Sequence, residues 1–248
     1  MKIGIITAMP EETAAIILAL KKSQKTRSNG TTLYHAQSSG HEIFVVEAGM
    51  GFTNATSASR QLIGEVHPDL IISAGFCGGI AAGLQVGDVV LAAGLAIASD
   101  IGLKEVSATI PAVCNEFASQ QTAEGSRVFD GLFVTAMSVM QKSRLATLLP
   151  TDALNPVVEM ESAAIALLAG ENGTPFVGIR AVSDPFDEEL GFALDELCDD
   201  RMRIRVPKVL LTIARKPRII PQLIRLARNS RAAAASLSLS MERLLAVL

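Results

Sequence analysis

The stretch VVEMESAAIALL, residues 157–168, joins a short apolar run to a longer run rich in alanine and leucine. The first run predicts a strand and the second a helix, with Glu159 and Glu161 at the junction between them. A continuous apolar strand followed by an apolar helix is typical of a sheet covered on both faces. Ionised carboxylates are costly to keep in such surroundings. The junction therefore raises the question of what these acids do there.

The alternation of apolar strands and helices continues on both sides of this junction. Strands are predicted at residues 2–7, 32–37, 42–47, 70–73, 88–95, 131–135, 156–159 and 175–182, and helices at 10–22, 54–66 and 160–171. The pattern predicts the α/β class, with a central, mostly parallel mixed sheet flanked by helices. The polar residues 23–31 predict a turn, and the chain beyond residue 187 predicts helices interrupted by prolines.

The composition excludes several classes of protein. Of the 248 residues, 49% are hydrophobic and 19% are charged, so the chain can bury a core and is not disordered. Its apolar runs fall short of the ~18–20 residues that cross a bilayer, and the first run is too short for a secretory signal. Three cysteines without metal-ligand spacing favour a cytoplasmic location. We expect neither a metal nor an organic cofactor.

The charge is distributed unevenly along the chain. Residues 201–248 hold eleven Lys and Arg residues and a single acid, Glu242. Because no linker or repeat divides the sequence, we expect one domain, 1–248, whose residues 201–248 form a basic helical C-terminal extension. This extension is either a solvated face packed on an acidic body or a peripheral contact with an anionic membrane. Nucleic-acid binding is disfavoured, since interleaved aromatic side chains and a recognisable binding motif are missing.

Ligands of such sheets bind beyond the carboxyl ends of the strands. That rule selects the segments 8–12, 48–51, 75–79, 136–141, 159–161 and 183–184. Two of them are glycine-rich. The Gly49-Met50-Gly51 turn lacks the third glycine of a dinucleotide motif, because Asn54 takes its place. The stretch SAGFCGGI, residues 73–80, lacks the lysine of a P-loop. Both segments can bring backbone N–H groups to a ligand, or serve only as tight turns.

The acids in these segments also have structural interpretations. Glu11 and Glu12 open a helix, where carboxylates complement the helix dipole. Asp184 directly precedes Pro185, which is typical of a turn. Cys77 is interpreted as a small apolar filler, because no His or Lys is evident nearby in the sequence to lower its pKa.

Taken in order, five motifs resemble the 5′-methylthioadenosine/S-adenosylhomocysteine nucleosidases of the purine nucleoside phosphorylase superfamily. They are MKIGIITAMPEE (1–12), the Gly-Met-Gly turn (49–51), SAGFCGGI (73–80), VVEMES (157–162) and RAVSD (180–184). The resemblance covers about residues 1–185. It implies hydrolysis of the N-glycosidic bond of an adenine nucleoside to adenine and a ribose derivative. It also implies a homodimer in which the neighbouring subunit completes the pocket.

The resemblance further implies individual roles. Asp184 would protonate the purine at N7, Glu12 would polarise the attacking water, and Glu161 would bind the ribose hydroxyls. Met160 would lie against the sugar. The other candidate substrate-binding residues are Ala8, Gly49, Met50, Phe76, Gly78, Val139, Met140, Glu159, Arg180 and Ser183. Of these, Arg180 and Ser183 would orient the site, and a structural role is favoured for Glu159.

Some positions depart from the family pattern. Phe76 replaces a serine of the family, and Val139 or Met140 must serve where the family places an aromatic residue against the base. We therefore expect an altered, bulkier or more apolar 5′ substituent. The loops after the first strand and around the glycine turn offer no arginine to hold phosphate, which favours hydrolysis over phosphorolysis. The alternatives are a phosphorylase-type enzyme acting on a lipid-linked adenosine nucleoside, such as a hopanoid precursor, and a non-catalytic nucleoside-binding protein of the same fold.

Overall fold

A computed structural model of the chain describes residues 1–28, 31–99, 101–123, 127–138, 140–186 and 206–248. The strands are β1 (Lys2–Thr7), β2 (Gln24–Ser28), β3 (Thr31–Ser38), β4 (His41–Glu47), β5 (Leu70–Gly79), β6 (Val89–Ser99), β7 (Gly102–Val106), β8 (Val128–Ala136), β9 (Val157–Glu159) and β10 (Phe176–Asp184). The helices are α1 (Pro10–Leu20), α2 (Phe52–Val66), α3 (Val113–Ala123), α4 (Lys142–Leu148), α5 (Ser162–Glu171), α6 (Val206–Arg215) and α7 (Ile220–Val247).

All ten strands belong to one mixed sheet, as the sequence predicted. The strand order is β10-β6-β8-β9-β5-β1-β4-β3-β2, and β7 pairs with β6. Because β10 also pairs with β5, the strands β5, β10, β6, β8 and β9 form a closed ring of pairings. Within the sheet, β1 runs parallel to β4 and β5, and β5 runs parallel to β10. The carboxyl ends of these strands therefore meet at one edge, which is where ligands of such sheets bind.

Two apolar layers cover the two faces of the sheet. One contains residues of α1, α3 and α7, including Ile16, Phe117 and Leu237. The other contains residues of α2 and α5, including Leu62 and Ile165. Alternate residues of β5 enter the two layers, as the pleat of a strand requires. This burial on both faces explains why the strands appear in the sequence as continuous apolar runs.

Some predicted boundaries were wrong, for identifiable reasons. The segment predicted as a turn contains β2, a polar edge strand paired antiparallel with β3; polar side chains are usual on edges, so apolar alternation is missing there. The strand predicted at 70–73 continues through the glycines to Gly79, and all ten of its residues are buried. The sequence analysis also missed β7, α3 and α4.

The C-terminal helices divide into two parts. The second part of α7 enters the core, where Leu237, Met241 and Leu244 pack in the same cluster as Ile3 and Ile16. The preceding residues carry most of the exposed positive charge, at Arg215, Lys216, Arg218, Arg225 and Arg228. The first part of the predicted extension is therefore exposed on the surface, whereas its last part packs in the core. In the described part of the chain, no helix has the length and apolar character that crossing a membrane demands.

Candidate functional site

Glu12 is buried at the carboxyl end of β1, although it lies in the first turn of α1. Its Oε2 accepts the backbone N–H groups of Ala8 at 2.8 Å and Met9 at 2.9 Å, and its Oε1 accepts that of Phe76 at 2.7 Å. Burial raises the pKa of Glu12, and this effect outweighs the opposing ones of Arg180 and the three N–H groups. A carboxylate with a raised pKa is a stronger base than an exposed one.

Gly75 lets this carboxylate approach the sheet. A Cβ at this position would lie 2.5 Å from Glu12 Oε1 and 2.7 Å from Arg180 Nη1. Any larger residue would push one of the two charged groups away. The glycine-rich end of β5 therefore provides room for side chains of the site, in addition to backbone donors.

Arg180 is a fully buried cation on β10, and it binds the acids at the 157–168 junction. Its Nη2 donates to Glu159 Oε2 at 2.6 Å, and to the hydroxyls of Ser73 at 3.0 Å and Ser162 at 3.1 Å. The same nitrogen lies 3.6 Å from Glu161 Oε2. Buried carboxylates and a buried guanidinium offset each other's desolvation only when they are paired in this way.

Glu159 is occupied by partners from the protein itself. Besides Arg180, its Oε2 accepts the N–H groups of Glu161 at 3.0 Å and Ser162 at 2.7 Å, at the start of α5. Its Oε1 accepts the Thr135 hydroxyl. Burial acts to raise the pKa of Glu159, but the Arg180 charge and these hydrogen bonds outweigh it, so the pKa is lowered. These contacts favour a structural role for Glu159.

Glu161 joins the junction to the glycine turn. Its Oε1 accepts the N–H of Gly51 at 2.7 Å, across 110 residues of sequence. Gly49 and Gly51 have φ values of 88° and 96°, which side-chain-bearing residues rarely adopt. Burial, followed by the neighbouring Glu159 charge, raises the pKa of Glu161 to about 8. Its carboxyl group is therefore held in an environment that favours the protonated form at neutral pH.

Asp184 ends β10 next to a lysine. Its Oδ1 accepts the Ser183 hydroxyl at 2.8 Å, and its Oδ2 lies 2.5 Å from Lys142 Nζ. A Cβ at Gly78 would lie 2.7 Å from Asp184 Oδ2 and 3.0 Å from Lys142 Cε, so this second glycine admits the pair. A register shift between Val182 and Asp184 marks a bulge, a feature that re-aims strand residues near functional sites.

Cys77 lies between the Arg180 cluster and the Asp184 pair. Its carbonyl oxygen accepts the Ser183 hydroxyl at 3.3 Å. Burial raises the pKa of the Cys77 thiol well above its usual range, while charges from both groups, Arg180 and Asp184 among them, act on it. Gly75 and Gly78 are three residues apart on β5, which corresponds to about 10 Å of strand. The two groups therefore occupy neighbouring stretches of one strand.

The structure describes the contacts of most of the remaining candidate residues. Met160 is half-buried between Glu159 and Glu161, and the carbonyl of Met50 accepts the Asn54 amide at 2.8 Å. Met140 packs on a small apolar cluster with Ile80 and Leu145. Val139 lies outside the described residues. Of the candidates, Arg180 lies within ion-pair distance of Glu161 and its charge acts on Glu12, while Ser183 and Asp184 form the adjacent pair.

Sequence reasoning missed Lys142 and the hydroxyls that surround Arg180, and it selected the segment that contains Gly75 without naming Gly75 as a site residue. Lys142 follows the segment 136–141, which the strand-end rule had selected, by a single residue. Its burial was the missing signal, because a lysine at a helix start usually faces solvent. Ser73, Thr135 and Ser162 are buried hydroxyls, which a sequence does not distinguish from exposed ones.

Residues 2–215 match the model of the phosphorylase superfamily. Among curated proteins, the chain is 31% identical over 210 residues to the 5′-methylthioadenosine/S-adenosylhomocysteine nucleosidase of Shewanella piezotolerans, covering 79% of this chain and 91% of the relative. It is 29% identical over 232 residues to the protein of the same name from an Exiguobacterium species, covering 87% of this chain and 98% of the relative.

Solved structures share the fold. The nucleosidase of Neisseria meningitidis in complex with methylthio-immucillin-A superposes with a TM-score of 0.73 at 24% identity, over 100% of this chain and 99% of that one. The futalosine hydrolase of Helicobacter pylori superposes with a TM-score of 0.73 at 17% identity, over 100% and 98% of the two chains. At these identities the likeness concerns the fold alone.

Proposed function

Because the chain belongs to the phosphorylase superfamily and, within it, to the 5′-methylthioadenosine/S-adenosylhomocysteine nucleosidases, we propose that it hydrolyses the N-glycosidic bond of an adenine nucleoside. The products are free adenine and a ribose derivative. The observation that carries the proposal is the cluster of Glu12, Glu161 and Arg180, buried together beside Asp184 at the carboxyl edge of the sheet. Glu12 and Asp184 lie against Gly75 and Gly78 of β5, and Glu161 lies beside Arg180, so acids from distant parts of the chain meet in one region.

Glu12 is the residue proposed to activate water. As the C1′–N9 bond breaks, C1′ takes on cationic character and the bonding electron pair moves to the purine. Glu12 accepts a proton from the water whose oxygen bonds to C1′. Its raised pKa suits this task, because a base works best when its pKa lies near the operating pH. The three backbone N–H groups fix its position.

The other two acids are proposed to act on the sugar and on the base. Glu161 binds the ribose hydroxyls, and the Gly51 N–H holds its carboxyl group in place. Asp184 delivers a proton to the departing purine at N7, and Ser183 orients it. General acid or base contributions of this kind are typically about 10²–10⁴-fold each.

Water is the proposed acceptor of the ribosyl group. A phosphate nucleophile requires cationic donors near C1′, usually arginine. The guanidinium beside Glu12 belongs to Arg180, which already pairs with Glu159 and lies near Glu161. The curated relatives that the chain resembles are also named as nucleosidases.

Adenine release from a panel of nucleosides with different 5′ groups, with and without phosphate, tests this function. We expect adenine and free ribose derivatives from at least one member, at a rate that phosphate leaves unchanged. A ribose 1-phosphate product would show that the reaction is phosphorolysis and not hydrolysis. Tight binding without adenine release from any member would make the chain a nucleoside-binding protein instead.

A homodimer that completes the pocket is the proposed assembly of this single-domain chain. Ile101 is 99% exposed and Met137 is also exposed. They follow the carboxyl ends of β6 and β8, which pair in parallel, so two exposed apolar side chains lie beyond the same end of these two strands. Sedimentation equilibrium should give a dimer, and Ile101→Lys should weaken it and reduce adenine release together. A wild-type monomer with full activity would refute the proposal.

Peripheral attachment of a cytoplasmic enzyme to an anionic membrane is proposed for the exposed basic segment. Arg215, Lys216 and Arg218 are exposed there beside the apolar Leu211 and Ile224. Each cation contributes about 1 kcal/mol at such a surface. Changing all three to Gln should abolish cosedimentation with phosphatidylserine vesicles and leave adenine release intact. If the wild-type chain does not bind these vesicles, the segment is only a solvated face.

A further inference from the structure

Lys142 is a buried cation in contact with the proposed acid. It is the first residue of α4, and only 7% of its surface is exposed. Its Nζ lies 2.5 Å from Asp184 Oδ2, and it donates to the carbonyl oxygens of Asp184 at 3.1 Å and Pro185 at 2.7 Å. These three contacts match the three donors of a lysine ammonium group. Lysine is rarely buried unless it is paired in this way.

The contacts determine which form of Asp184 the site holds at rest. Oδ2 lies 2.5 Å from the Lys142 ammonium nitrogen, and Oδ1 lies 2.8 Å from the Ser183 hydroxyl oxygen. An adjacent ammonium group favours the ionised form of a carboxyl group. An ionised Asp184 has no proton to give to a leaving purine. The proton must reach it from a neighbour, and the ammonium group of Lys142 already lies against the oxygen that would carry it.

We propose that Lys142 supplies the proton that Asp184 passes to the leaving purine. This inference rests on the proposed function. As the C1′–N9 bond breaks and its electron pair moves to the purine, Asp184 passes a proton to N7. Asp184 Oδ2 receives that proton from the Lys142 ammonium group in the same step, which leaves a neutral amine. The Glu12 carboxyl group, which received the proton of the attacking water, loses it to solvent, and Lys142 regains one from solvent. The net reaction is hydrolysis.

A purely structural role makes a different prediction. In that case Lys142 only clamps Asp184 and Pro185 at the end of β10, and its loss misplaces Asp184 at every pH. If Lys142 is instead the proton source, its loss leaves Asp184 in place but dependent on solvent for its proton. Acid then restores the missing step. Lys142 therefore acts through Asp184, and a pH profile distinguishes this role from that of a clamp.

The experiment compares kcat for adenine release by Lys142→Met with that of the wild-type chain from pH 5 to 9. The exposed Lys104→Met is the matched control. We expect the ratio of variant to wild type to be lowered about 10²–10⁴-fold at high pH and to rise about tenfold for each pH unit of acidification. Lys142→Arg keeps a cation beside Asp184 but cannot release its proton, so its ratio to wild type should show the same dependence on pH.

Each other outcome overturns the inference. A lowered ratio that is independent of pH would make Lys142 a clamp, and a ratio near one at every pH would remove it from the mechanism. Thermal unfolding of both variants shows whether the fold is intact; if Lys142→Met does not fold, the pH profile of Lys142→Arg relative to wild type decides in the same way. Failure of the proposed function is separate, because the wild-type chain would then release no adenine.

Discussion

The two halves of the site are held together differently. Around Arg180, the carboxylates of Glu12, Glu159 and Glu161 are buried in one network with hydroxyls and backbone N–H groups. At the other half, the Asp184 side chain is 25% exposed and is held by Lys142 and Ser183. Removing one member of a buried ion network leaves uncompensated charge. The first half is therefore tied to the stability of the fold, whereas the second can change with smaller consequences for folding.

Replacing Arg180 should have the largest effect on stability. Arg180→Met leaves the buried Glu159 and Glu161 without their cation, and loss of a buried partner typically costs about 3–5 kcal/mol. Urea unfolding monitored by circular dichroism measures this free energy. Lys142→Met, in the more exposed half, is the matched comparison and should lose clearly less. Equal losses of unfolding free energy in the two variants would contradict the proposed difference between the halves.

Filling the space at Gly75 should lower activity more than stability. The added Cβ of Gly75→Ala would meet Glu12 Oε1 at 2.5 Å and Arg180 Nη1 at 2.7 Å. Because a displacement near 1 Å can cost about 10²-fold in rate, kcat for adenine release should fall by that order. Gly64→Ala in α2 is the control, since an added Cβ there meets no atom within 4 Å. Unchanged kcat in Gly75→Ala would show that Glu12 does not need this position.

The pH dependence of stability should show a smaller effect of Glu161. Its pKa of about 8 exceeds the ordinary value of 4.5. Between these two pH values, Glu161 is therefore more often protonated in the folded chain than in the unfolded chain. Stability therefore falls as pH rises from about 4.5 to 8, because deprotonation is easier in the unfolded state. Glu161→Gln should flatten this part of the curve, and the exposed Glu171→Gln should not. Identical curves for the two variants would contradict the raised pKa.

The sequence predicted which segments carry the candidate site residues, but it did not predict which strands pair. The strand-end rule selected Glu12 and Asp184 because β1 and β10 run parallel to β5 and their carboxyl ends share an edge. It also selected Glu161, although β9 runs antiparallel to β5, so the position of Glu161 depends on the ring of pairings. The ring of pairings that β10 and β5 close could not be predicted, because the sequence of a strand does not specify its partners. The edge strand β2 was missed because of its polar composition.

Contacts between elements explain the other differences. Glu159 and Glu161 stand two residues apart, yet one pairs with Arg180 and the other with the Gly51 N–H. Their environments differ in the position of the glycine turn and in the hydroxyl and N–H groups that surround Glu159. Lys142 was missed because its burial depends on where α4 begins relative to β10. The sequence thus identified which residues meet at the edge, whereas their pairing depends on tertiary packing.

The most direct measurement combines adenine release with nucleoside binding in Glu12→Gln and Asp184→Asn. Isothermal titration calorimetry with 5′-methylthioadenosine should show that both variants bind, while adenine release falls by about 10²–10⁴-fold in each. The exposed neighbour Glu11→Gln should release adenine at the wild-type rate. Release at that rate by Glu12→Gln or Asp184→Asn would contradict the convergence of these two acids on one glycosidic bond.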